Sequence, residues 1–289
     1  MSTSQMVLLG VAQDAGHPQL GCMRSCCAPA WADPRRRHLP VALGLVGRGG
    51  RRFLVEATPA LPEQLYRLEQ FSPRAASSPL LDGLLLTHAH MGHLIGLAYL
   101  GREAAAVRDL PVYLPRGLAD ALRDALPWRL LLEQGHLRFI PIAAGETLLL
   151  GPGLHVEVLS VPHRREIAET VGFIFSGDAR RVLFVPDIDA WSAWDRDLEA
   201  LIASVDLALL DGTFFADGEL ERDMSEIPHP RVVETMARLS SAPASVRARV
   251  RFIHLNHTNP LLDPDSAASA QVRRAGFEIG TAGEALTLG

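Results

Sequence analysis

A chain of 289 residues with 48% hydrophobic and 21% charged side chains can bury a sizeable core and has the balance of an ordinary water-soluble globular protein. The formal net charge of −5 supplies no basic face for nucleic acid, and the one dense basic run, Arg35-Arg36-Arg37, follows Asp33-Pro34 as a solvated turn would. The start of the chain lacks a basic segment leading into an apolar one, and no apolar run approaches the roughly 18–20 residues of a membrane span. A cytoplasmic protein with no membrane partner is therefore expected.

Residues 6–12 predict an opening strand that runs into a Gly/Pro-punctuated loop over 14–27. Residues 41–46 and 52–57 read as paired strands around a turn of Gly47, Gly49 and Gly50. Residues 62–71 are helix-like, with Leu65 and Leu68 on one apolar stripe, and 72–79 form a loop. A short buried strand at 84–86 precedes a helix over 95–107, a strand at 112–114 and a helix over 118–125. The pattern then turns to successive strands at 138–142, 147–150, 155–161, 171–176 and 181–185, the last two joined by a tight turn at Gly177-Asp178. Residues 198–204 predict a helix, 207–210 a strand, 232–239 a helix and 250–255 a strand. Strands with interspersed helices, no low-complexity linker and no solenoid repeat predict one α/β layered domain over 1–289.

The strand at 84–86 ends in Thr87-His88-Ala89-His90-Met91-Gly92-His93. Alternate residues of an extended segment point the same way, so His88 and His90 can converge on one point while His93 faces a neighbouring one. Neutral imidazole is a ready ligand for divalent transition metals; the bland alternative is a set of unrelated polar residues in a loop. Other polar groups fall where predicted strands end, which is where α/β folds place their sites: His163, Asp187, Asp211 and His254. Asp211 taken alone reads as a capping or turn residue. Histidines with a carboxylate suit a mononuclear or dinuclear centre, in which an ion lowers the pKa of bound water from about 15.7 towards 7.

Cys22, Cys26 and Cys27, the three cysteines of the chain, lie within one short loop. That clustering argues against a dispersed disulfide framework and leaves structural zinc, reduced buried thiols or a redox pair.

The histidine motif resembles the T-H-x-H-x-D-H signature of the metallo-β-lactamase superfamily, and the likeness extends over roughly residues 6–280. It implies a four-layer αβ/βα sandwich with metals at one edge. It also gives His163, Asp187 and His254 the places of the third histidine, the bridging aspartate and the last histidine. Gly16-His17-Pro18-Gln19, Pro186-Asp187-Ile188-Asp189 and Phe252-Ile253-His254-Leu255-Asn256-His257-Thr258-Asn259-Pro260 resemble the pyrroloquinoline quinone biosynthesis protein B family. The early cysteines more distantly resemble the phosphonate-pathway cyclic phosphodiesterases. That likeness implies His257 as the fourth ligand of a structural zinc, although adjacent Cys26 and Cys27 depart from the usual C-x-C-x-x-C.

Two departures qualify the resemblance. Gly92 stands where the signature has an aspartate that ligates the second metal, so His93, Asp187 and His254 are expected to form an incomplete set. His88, His90, His163 and Asp187 still suffice for one ion. The quinone-cofactor protein lacks the paired early histidines present here, which implies a paralogue with its own chemistry.

The resemblance implies a metal-dependent hydrolase in which a metal-bound hydroxide attacks an ester or phosphodiester-like bond of a small molecule. Asp187 and His229 are the expected catalytic residues, with Zn²⁺ at the centre and Mn²⁺ or Fe²⁺ as alternatives. An iron-dependent oxidoreductase or hydroxylase in pyrroloquinoline quinone-type cofactor biosynthesis is a second reading, and a non-catalytic metal-stabilised carrier a third. In related hydrolases a histidine near His229 acts as general acid or contacts substrate; here it could also merely precede a helix. Asp14 and His17 border the expected centre, either touching substrate or shaping a turn. His38, His136 and His155 read as surface or strand positions, and Trp31, Trp128, Trp191 and Trp194 as core or pocket wall.

Overall fold

The structure, a computed structural model, describes residues 3–164, 166 and 168–289. Its chain begins with β1 (Gln5–Gly10), β2 (Ala42–Val46) and β3 (Arg52–Val55), which pair antiparallel. β4 (Gly83–Leu85), β5 (Leu110–Pro115) and β6 (Leu137–Ile142) then add in parallel to extend this sheet. The second sheet repeats the plan. β7 (Thr147–Gly151), β8 (Leu154–Val161), β9 (Thr170–Ser176) and β10 (Arg181–Val185) are antiparallel. β11 (Leu207–Asp211), β12 (Val250–Ile253) and β13 (Glu278–Ile279) continue in parallel. β14 (Ala285–Thr287) returns to pair with β1, so each sheet has seven strands.

Strand alternation decides the layers. In β1, Met6 and Leu8 point between the sheets, while Val7 and Leu9 point outward under helices. Both faces are apolar because both are covered. The inner layer joins Leu43, Leu45, Phe53 and Val55 of the first sheet to Val158, Phe173, Phe175 and Phe184 of the second. Truncating one of these fully buried phenylalanines to alanine should cost about 3–5 kcal/mol. Helices Leu61–Phe71 and Arg116–Arg123 cover the first sheet; Leu198–Ala203, Val232–Arg238 and Ala267–Arg274 cover the second. The result is the αβ/βα sandwich.

The sequence expectation fails in a few places. The helix expected over 95–107 is a short turn of α-helix, Met91–Leu94, followed by a 3₁₀ segment, Ile95–Leu100. Gly96 donates its N–H to Ala57 O at 2.8 Å, which ties this segment to the loop after β3 instead of to its own preceding turn. The pattern also predicts nothing beyond residue 255, yet helix Ala267–Arg274 forms there, capped by the Ser266 hydroxyl on Ser269 N. Arg35 is exposed and paired with Asp33, as a solvated turn requires. No helix among the described residues is long and apolar enough to cross a membrane.

Candidate metal centre

Within the first sheet β1, β3 and β4 run the same way, as do β8, β10, β11 and β12 within the second. Segments at their carboxyl ends carry Asp14, Glu56, His88, His163, Asp187, Asp211 and His254 to one edge of the sandwich. Rigid strand ends thus aim side chains that are far apart in sequence at a common volume.

Two constellations form there. His90 Nδ1 lies 3.0 Å from His88 Nε2 and 3.4 Å from His163 Nε2, and Asp187 Oδ1 lies 3.7 Å from His163 Nε2. In the neighbouring constellation His93 Nε2 is 3.1 Å from Asp14 Oδ1 and 3.3 Å from Asp187 Oδ2. His254 Nε2 is 3.6 Å from Asp14 Oδ1 and 3.4 Å from Asp187 Oδ2. Two nitrogen or oxygen donors held at about 2.1 Å from one tetrahedral ion are about 3.4 Å apart, so both spacings fit a shared cation. Asp187 presents one carboxylate oxygen to each group. Asp14 Oδ1, His93 Nε2, Asp187 Oδ2 and His254 Nε2 are buried and find no hydrogen-bond partner among the described residues. Buried polar atoms are rarely left that way, and a cation would satisfy all four.

Threonine hydroxyls fix the far nitrogens of two of the rings. Thr87 Oγ1 donates to Glu56 Oε1 at 2.6 Å, so it can accept from His88 Nδ1, 2.8 Å away, leaving the Nε2 lone pair free to ligate. Thr213 Oγ1 donates to Asp211 Oδ1 at 2.7 Å and accepts from His254 Nδ1 at 2.9 Å, with the same result. His163 Nδ1 sits 2.9 Å from Asp189 Oδ1 and His93 Nδ1 sits 3.4 Å from Glu56 Oε1. Glu56 and His254 hold positive φ angles of 73° and 61°, strained for residues with side chains, at the two points where a strand turns into the centre.

Electrostatics separates the two groups. Burial, reinforced by neighbouring imidazoles, pushes His88 well below the usual histidine range, and burial also lowers His90 and His163. These rings stay neutral, the state that ligates. At His93 burial is outweighed by the Glu56 and Asp187 carboxylates, which raise its pKa well above the ordinary value. That excess of negative charge is what a cation offsets.

His229 Nδ1 lies 2.7 Å from Asp211 Oδ2, and this carboxylate raises the histidine's pKa against the effect of burial. Its ring stands 5.4 Å from that of His163 and 6.0 Å from that of His254. A cavity of about 550 Å³, lined by Asp189, Trp191, His229, Arg231 and Arg238 among others, opens against this edge. Asp211 fills the capping or turn role expected of it, through the bond from Thr213 N, and does more. It is fully buried, and it accepts from Ile188 N at 3.0 Å and Thr213 N at 2.9 Å besides holding His229.

A separate group gathers Cys22, Cys26, Cys27 and His257, with ligand atoms all within 4.8 Å of one another. Cys22 Sγ is 3.7 Å from Cys26 Sγ, and His257 Nδ1 is 3.7 Å from Cys26 Sγ and 3.3 Å from Cys27 Sγ. Two sulfurs at about 2.3 Å from tetrahedral zinc are about 3.8 Å apart, which the Cys22–Cys26 spacing matches. Burial pushes the Cys27 thiol up to about 12, and a metal taking it as thiolate displaces that proton.

Every candidate ligand named from the sequence therefore falls in one of these groups, and His229 stands beside the centre. His17 does not reach it: its Nε2 is 2.7 Å from Cys26 O, against the cysteine loop. Beside Gly92 the Asp14 carboxylate lies close to His93 and His254, in the space that the glycine leaves. Glu56, Asp189 and Thr213 carry no expected role in the sequence. Glu56 alone shares the signal of the others, a polar residue directly after a buried strand. Trp128, Trp191 and Trp194 are buried, whereas Trp31 is 38% exposed.

Comparison with known proteins agrees with this geometry. Residues 51–283 match the beta-lactamase superfamily domain. A coenzyme PQQ synthesis protein B of Methylorubrum extorquens is 30% identical over 98% of this chain and 99% of its own. The crystal structure of Zn²⁺-bound PqqB from Methylobacterium extorquens superposes with a TM-score of 0.82 at 26% identity, covering 98% of this chain and 99% of that one. A diphosphatase of the PhnP family shares the fold, with a TM-score of 0.67 at 18% identity over 98% of this chain and 96% of that one. With these matches spanning nearly its whole length, the chain belongs to the metallo-β-lactamase superfamily and is PqqB-like.

Proposed function

We propose that the chain is a metal-dependent hydrolase of a small ester or phosphodiester-like molecule. The observation that carries this reading is Asp187, whose two oxygens serve adjacent groups of buried, correctly oriented imidazoles. Divalent cations held there would supply Lewis acidity and hydroxide at neutral pH. His88, His90, His163 and Asp187 would hold one ion, and His93 and His254 face the neighbouring position.

The remaining steps belong to the protein. His229, held through Nδ1 by Asp211, keeps a proton on Nε2 for the leaving oxygen as water adds across the scissile bond. The cavity beside it brings Arg231 and Arg238 near an anionic substrate portion, although Arg231 already binds Asp217 and the carbonyls of Met224 and His229. Arg238 is exposed.

The test is turnover of bis(p-nitrophenyl) phosphate and p-nitrophenyl esters by protein loaded with Zn²⁺, Mn²⁺ or Fe²⁺. Hydrolysis with zinc or manganese, lost in His229→Ala with retained metal, is expected. Oxygen consumption that requires Fe²⁺, with no hydrolysis by any loaded form, would overturn the reading. It would favour instead an oxidative role in making a quinone cofactor, a reading supported by the full-length likeness to chains named coenzyme PQQ synthesis protein B.

A further inference from the structure

The second constellation contains a carboxylate that the histidine motif does not encode. Asp14 leaves the loop after β1, and its Oδ1 stands 3.1 Å from His93 Nε2 and 3.6 Å from His254 Nε2. A Cβ built on Gly92 would lie 2.3 Å from Asp14 Oδ1 and 2.4 Å from both Asp14 Cα and Cβ. The two positions are thus mutually exclusive: any side chain at Gly92 occupies the space that Asp14 fills. Asp14 Oδ1 is buried without a hydrogen-bond partner among the described residues, although the side chain as a whole is 37% exposed.

We propose that Asp14 is the carboxylate ligand of a second ion, relocated from the motif to the first loop, so that the centre is dinuclear despite Gly92. The ligand set is Asp14, His93 and His254 with Asp187 Oδ2 shared. Three features support it together. The donor spacings match those around one cation. Each of these four residues presents a buried, unpartnered atom. Gly92 holds no positive φ and so has no conformational need to be glycine; the contact with Asp14 is what excludes a side chain there.

The inference rests on the metal-centre reading above and deepens it. The test is ion stoichiometry, by elemental analysis of protein equilibrated with excess Zn²⁺ and desalted, together with calorimetric titration of the metal-free protein. Asp14→Asn keeps the shape and removes the charge; it should carry one equivalent less than the unmodified protein and keep the His88/His90/His163 ion. Gly92→Ala adds only a methyl group with no ligand chemistry, and should lose the same ion by displacing Asp14. With both proteins metal-free, Asp14→Asn should melt where the unmodified protein melts, which rules out a general folding defect in that variant. If Asp14→Asn retains the full complement of ions, or the unmodified protein takes only one ion at this centre, the relocation is wrong while the first ion and the hydrolytic reading stand. If the unmodified protein takes none there, both fall.

Discussion

The central constellations and the cysteine group are built on opposite principles. The centre takes its donors from rigid strand ends, fixes the far nitrogens of His88 and His254 with Thr87 and Thr213, and borders a cavity of about 550 Å³. The cysteine group takes three donors from one loop rich in turns and a fourth from His257, a closed set of four. An ion at the centre adds reactivity to a frame that the core already holds. An ion among the cysteines supplies order to a segment with little apolar surface of its own. The difference predicts that removing ligands from each should be felt in different measurements.

The largest expected effect is His90→Ala. Losing a donor shared between His88 and His163 should lower kcat/KM by at least about 10³, since a metal's charge stabilisation is worth several kcal/mol. The melting temperature should barely change, because the strands beneath are held by their own core; a fall as large as in the cysteine variant would erase the contrast. Next is the double substitution Cys26→Ser with Cys27→Ser. It should release about one zinc and lower the melting temperature by about 10 °C, the scale for losing an ion bound with roughly 4 kcal/mol of linkage. Zinc at the centre should remain at saturating concentration, and an unchanged melting curve would show the loop to be ordered without metal. The smallest is Asp211→Asn. It leaves every ligand in place but loosens His229 and, through Thr213, His254, so a fall of about 10–100-fold in kcat/KM is expected. Full activity in this variant would remove Asp211 and the His229 pair from the mechanism.

Much of this was legible because buried strands announce themselves. Leu84 to Leu86 and Val182 to Val185 are apolar runs that stop at or just before a polar residue, so the strand and the edge that carries the candidate centre are read together. The helices around the sheets were harder. Helix Trp128–Glu133 and the edge strands β13 and β14 are short, and their pairing is decided by distant partners such as β1 and β12. Asp14 was visible only as a loop residue near the expected metal. Its role depends on a steric fact, the missing Cβ of Gly92, that emerges when the segments after β1 and β4 are set side by side in space. For Asp211 the local turn with Thr213 is legible, whereas the bonds to Ile188 and His229 depend on distant segments.

One pairing links the two metal groups. Leu255 N donates to Val11 O at 2.8 Å and Gln13 N donates to Leu255 O at 2.9 Å, joining the segment after β1 to the segment after β12. Each segment carries donors to both groups: Asp14 and the cysteines on one, His254 and His257 on the other. In thermodynamic terms this is a shared strut between binding sites. Whatever factor an ion among the cysteines contributes to affinity at Asp14 and His254, an ion there returns to the cysteines, since coupling free energy is reciprocal. If an ion in one group tightens the other, zinc titrated into the metal-free protein should bind with a steeper isotherm than independent sites give.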